Sequence, residues 1–119
     1  MSDAEGVVAC CQVSLAVGDA AGNRARLRYA INEAADAGAR VVVLPELANT
    51  GYMFADLNEL RAAAEPADGP TVREWEQLAC ERDLVIACGF AEAGDDGLVY
   101  NSAVLVDKTG LRARYRKAH

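Results

Sequence analysis

The sequence predicts an α/β fold. Short runs of consecutive aliphatic residues, two helical stretches between them with apolar residues at three- and four-residue intervals, and a polar turn flanked by two extended runs all lead there. The first strand is expected over 7–13, Val7-Val8-Ala9-Cys10-Cys11-Gln12-Val13. The first helix is expected between Asp19 and Ala37, where Leu27, Ala30, Ile31, Ala34 and Ala35 form one apolar stripe, and Gly38 ends it. Strand 41–44 follows, Val41-Val42-Val43-Leu44, in which three β-branched residues suit a strand covered on both faces. Pro45 then stops the ladder, because it has no N–H to donate. Strand, helix and strand make a βαβ unit, for which a right-handed parallel crossover is strongly preferred.

After a loop over 47–56 and a short helical stretch near Asp56–Ala64, Pro66-Ala67-Asp68-Gly69-Pro70 is a clear break. Thr71 with Glu74 three residues on reads as a capping box, and Val72, Trp75, Leu78 and Ala79 are the expected buried face of the helix it opens. A buried strand is expected at 84–90. Gly94-Asp95-Asp96-Gly97 is a polar turn, and Tyr100–Val106 and Leu111–Tyr115 flank Asp107-Lys108-Thr109-Gly110 as a hairpin.

Composition narrows the function classes. The 119 residues amount to one domain's worth of chain, and with 52% hydrophobic residues they can build a core. A net charge of -6 argues against nucleic-acid or anionic-membrane partners, which require clustered basic residues. Arg112, Arg114, Arg116 and Lys117 are the one basic cluster, and they read as a solvated strand face in preference to a phosphate site. Acidic residues stand where a secretory signal carries positive charge, and no apolar run reaches the roughly 20 residues of a membrane span. A cytoplasmic protein is the expectation.

Cys10, Cys11, Cys80 and Cys88 show no metal-type spacing and the single histidine is His119, so no metal site and no cofactor are expected. All four thiols are expected to be reduced and to pack as small hydrophobes, since none has a setting that would lower its pKa. Two residues stand out for chemistry. Glu46 follows Pro45 at the C-terminal end of a strand, the edge of an α/β sheet where ligands usually bind. Lys117 stands just past the last expected strand. Taken singly, Glu46 could cap a helix and Lys117 could end a solvated strand.

The run Val41-Val42-Val43-Leu44-Pro45-Glu46-Leu47-Ala48-Asn49-Thr50-Gly51-Tyr52 resembles the Pro-Glu block of the nitrilase, or carbon–nitrogen hydrolase, superfamily. Tyr115-Arg116-Lys117-Ala118-His119 resembles its lysine block, and Tyr100–Asp107 with Gly110 is similar to the strand and turn before that lysine. The resemblance implies the first half of a four-layer α-β-β-α sandwich, with Glu46 as catalytic base and Lys117 as stabiliser of the oxyanion. The nucleophilic cysteine and an additional active-site glutamate belong to later blocks. Residues 1–119 are therefore expected to be a partial carbon–nitrogen hydrolase domain, truncated after the lysine block and inactive alone. Tyr52 is a candidate for lining the substrate pocket, with an aromatic covering the core edge as the other reading. His119 matches a histidine common in the lysine block. Asn101 is expected to satisfy backbone groups more than to touch substrate. The implied substrate is a small amide, N-carbamoyl compound or nitrile, with amide or carbamoyl cleavage preferred, and the complete protein is expected to be a homo-oligomer. The contrasting class is a non-catalytic α/β binding module that kept the first half of the fold.

Overall fold

The computed structural model describes residues 7–11, 13, 19–45, 61, 62 and 64–117. Five strands form one sheet in the order β1 (Val8–Cys10), β2 (Val41–Val43), β3 (Val85–Ala93), β4 (Val99–Asp107) and β5 (Gly110–Arg116). The first three are mutually parallel, and β3, β4 and β5 are antiparallel. Helix α1 (Ala20–Asp36) connects β1 to β2, and α2 (Pro70–Arg82) precedes β3. Both pack on the same face of the sheet. That is the arrangement expected of successive parallel crossovers of one hand running in one direction.

Local chemistry accounts for the helix limits. The Asp19 side chain accepts a hydrogen bond from the Gly22 amide at 3.1 Å, which satisfies one of the free N–H groups that open α1. Gly38, at φ +98°, takes the left-handed conformation just after α1 that a side chain resists. At α2 the expected capping box is not formed. The helix begins two residues earlier, with Gly69 as N-cap and Pro70 in the first turn, so Thr71 lies inside it and is buried. Glu65 does the capping from outside: its carboxylate accepts the Thr71 amide at 2.9 Å and the Thr71 hydroxyl at 2.6 Å. Glu74 instead pairs with Arg28 of α1.

The core lies between the helices and the sheet. Leu27 and Ile31 of α1, Val72, Trp75, Leu78 and Ala79 of α2, and Val42, Ile86, Phe90, Val104 and Val106 of the strands form one buried cluster. Trp75 meets Phe90 edge to face, with ring centroids 6.5 Å apart. The thiols divide. Cys88 is buried in this core and Cys11 is half-buried, but Cys10 and Cys80 are exposed, contrary to the expectation that all four pack inside. Cys10 pairs in register with Val43 on the opposite face of the sheet, which no described residue covers.

Candidate active site

Sheet register builds the site. Leu44 donates its amide to the Ala87 carbonyl at 2.8 Å, and the Pro45 carbonyl accepts the Gly89 amide at 3.2 Å. Glu65 is bonded to β3 as well: its amide donates to the Ala91 carbonyl at 3.0 Å and its carbonyl accepts the Ala93 amide at 2.8 Å. Pro45 and Glu65 are thus both bonded to neighbouring positions of β3. On the other flank Gly89 pairs with Ala103 and Ala103 with Tyr115, while Ala91 pairs with Asn101. The Lys117 amide donates to the Asn101 carbonyl at 2.8 Å, so Lys117 continues the ladder for one residue past β5.

These rows end in a cavity of about 420 Å³ on the uncovered face. Val43, Gly89, Asn101, Ala103, Tyr115 and Lys117 line it. The size suits a small molecule. Its wall runs from the C-terminal end of β2, immediately before Glu46 in the chain, to Lys117. Glu46 itself, Tyr52 and His119 lie outside the described residues. The structure therefore places Lys117 at the cavity, and Asn101 lines it as well as serving the ladder through its carbonyl. Cys88 lies at the same cavity wall, but burial pushes its thiol well above the ordinary cysteine range, with only partial relief from a backbone hydrogen bond at Gly89. It is not a thiolate near neutral pH. Cys11 is also shifted upward, by burial and then by the nearby Cys10 and Glu33.

Arg112, Arg114 and Lys117 of the basic cluster are exposed, as expected of a solvated strand face, but two of its arginines also bind a buried carboxylate. Arg114 and Arg116 converge on Glu92, which is only 2% exposed. One carboxylate oxygen accepts the Ser102 hydroxyl at 2.7 Å and Arg116 Nε at 3.0 Å; the other accepts Arg114 Nη1 at 2.9 Å and Arg116 Nη2 at 3.1 Å. Burial raises the pKa of Glu92, but the bonds from Arg116 and Ser102 and the two guanidinium charges outweigh it and hold the carboxyl below its ordinary range. The signal was present in the sequence: a charged residue in the buried phase of Ile86, Cys88 and Phe90, with arginines alternating on the next hairpin strand.

The Carbon-nitrogen hydrolase family matches residues 7–119, and the chain belongs to that family. It is 38% identical over 98 residues to a nitrilase of Pyrococcus abyssi, covering 82% of this chain and 37% of that protein. It is 32% identical over 114 residues to 2-oxoglutaramate amidase of Bacillus subtilis, covering 94% of this chain and 42% of the amidase. Among solved structures, a CN-hydrolase superfamily protein of Xanthomonas campestris superposes with a TM-score of 0.77 at 28% identity, over 91% of this chain and 38% of that one. The fold is accordingly that of part of a nitrilase-superfamily domain. The chain spans roughly a third to two-fifths of the length of these proteins. Among the described residues no helix is long and apolar enough to cross a membrane.

Proposed function

We propose that this chain carries the base and the oxyanion donor of a carbon–nitrogen hydrolase site, Glu46 and Lys117, and that the nucleophilic cysteine belongs to the part of the family domain it does not span. The observation that carries this reading is the cavity on the uncovered face, whose wall joins the β2 terminus before Glu46 to Lys117. Three further points support it: family membership, the amidase and nitrilase names of the relatives, the 2-oxoglutaramate amidase above all, and the raised pKa of the core thiol Cys88.

The chemistry follows from the residue types. Glu46 takes the thiol proton, and the thiolate attacks the amide, carbamoyl or nitrile carbon. The electron pair displaced onto the substrate heteroatom is met by the Lys117 ammonium. A preorganised donor of this kind is worth about 3 to 4 kcal/mol. Glu46 returns the proton to the departing amine, and water then releases the acid from the thioester. Small amides and N-carbamoyl compounds are the proposed substrates ahead of nitriles, and Tyr52 is the proposed pocket aromatic. The intact protein is proposed to be cytoplasmic and homo-oligomeric.

The test has two parts. The 119-residue chain alone should release no more ammonia than a protein-free blank across simple amides, nitriles and N-carbamoyl amino acids. In the full-length protein, Lys117→Ala and Glu46→Gln should each lower turnover by roughly a hundredfold or more with the fold intact. Near-normal turnover in either variant removes that residue from the mechanism, and turnover by the short chain that Glu46→Gln abolishes would show that one of its own cysteines serves. A full-length protein with no family cysteine block would favour the non-catalytic module.

A further inference from the structure

Strand β5 changes phase partway along. Leu111 lies opposite Val106, yet Ala113 lies opposite Leu105, so Arg112 is an extra residue with no partner in the ladder. Before it, Leu111 shares the helix-covered side with Val106. After it, Arg114 opposite Val104 and Arg116 opposite Ser102 take that side, and Tyr115 and Lys117 go to the cavity. Strict alternation from Leu111 would do the reverse. A one-residue slip in this strand would therefore turn Lys117 away from the cavity, because side chains alternate with a period of two.

Apolar packing does not hold this second phase. In β3 and β4 the helix-covered positions are filled by Ile86, Phe90, Val104 and Val106, all part of the core, whereas in β5 beyond the shift they are Arg114 and Arg116. Both reach the buried carboxylate of Glu92, Arg116 with its Nε and Nη2 together. Arg116 is also stacked over Tyr100, its guanidinium carbon 4.0 Å from the ring centroid. Tyr100 pairs in register with Glu92. The clamp thus grips the residue covalently next to Lys117.

We propose that Glu92 is a positioning residue for Lys117: by receiving Arg114 and Arg116 beyond the register shift, it holds β5 in the phase that delivers the lysine to the cavity. The catalytic consequence rests on the reading of Lys117 as oxyanion donor; the placement of the side chain does not. A fork-shaped guanidinium on a buried carboxylate has the geometric specificity to select one register, which a diffuse surface charge lacks.

Two measurements separate these claims. The lysines of this chain are Lys108 and Lys117, so reductive 13C-methylation reports on each by NMR. Glu92→Gln should shift or broaden the Lys117 signal and leave the Lys108 signal, in the β4–β5 turn, and the fluorescence of Trp75 in place. In the full-length enzyme the same substitution should lower kcat by roughly tenfold or more, with KM within about twofold, as expected for a misplaced catalytic group. Should Glu92→Gln fail to fold, Arg116→Gln removes the fork without adding a lysine and is judged by the same readings. An unchanged Lys117 signal, or wild-type kcat in an enzyme that Lys117→Ala disables, would overturn the proposal. If Lys117→Ala leaves turnover intact, the catalytic reading falls, and the NMR measurement still decides the placement.

Discussion

On the side facing α1 and α2, Val42, Ile86, Phe90, Val104 and Val106 are nearly inaccessible, while on the other side of the same strands Val8, Val43, Leu105 and Tyr115 are 37 to 65% exposed. The two faces are of similar character at many positions, since β2 contributes a valine to each. What separates them is cover: the helix side has Leu27, Ile31, Val72 and Trp75 to pack against, and among the described residues nothing lies over the other. Parallel strands are normally buried on both faces, and in the four-layer sandwich the second sheet supplies the missing layer. The difference teaches that the packed core and the proposed site occupy opposite sides of one sheet. Core packing is complete on one, and the proposed catalytic cavity sits on the other.

Substitutions on the two faces should therefore cost very different amounts. Trp75→Ala removes the largest side chain of the covered face and should cost about 3 to 5 kcal/mol, enough to unfold much of the population at room temperature, as measured by urea titration. Glu92→Gln comes next. It weakens a buried carboxylate clamp, but both arginines keep partial access to water, so about 1 to 3 kcal/mol is expected. A loss as large as that of Trp75→Ala would mean that the clamp is part of the core and not an addition at its edge.

The same carboxylate predicts a pH dependence. The folded-state pKa of Glu92 is depressed, so its contribution to stability is fully present above the ordinary glutamate range, about 4.3, and is lost as pH falls through the lower folded value. Acid melts should show a loss below about pH 4 that is smaller in Glu92→Gln. Equal slopes in the two proteins would contradict the assignment.

Thr71→Ala should cost about 1 kcal/mol, the worth of one hydrogen bond to Glu65, read as a small shift in urea midpoint. Smallest of all is Leu105→Ser on the uncovered face, expected within about 0.5 kcal/mol of wild type. The isolated chain should bind ANS and self-associate through that face, and Leu105→Ser should weaken both. A monomeric chain that binds no dye would show that the face is covered after all, and would end the comparison.

Much of this was legible in the chain itself. The helix stripes, the stop at Gly38, the βαβ order and the 107–110 turn all follow from local periodicity and backbone chemistry, which neighbouring residues determine. The family blocks around Glu46 and Lys117 were legible for the same reason, being contiguous runs. Tertiary structure alone decided the rest. Thr71 looked like an N-cap, but Glu65, brought alongside by pairing with Ala91 and Ala93, took the capping role. Arg114 and Arg116 read only as a solvated face, and Glu92, more than twenty residues earlier in the chain, gave them a buried partner. Cys10 looked like core, yet it lies on the uncovered face. Whether Lys117 meets the cavity depends on one unpaired residue, Arg112. Periodicity reports which residues share a side of one strand; which side that is, and what waits there, is set by register with strands distant in sequence.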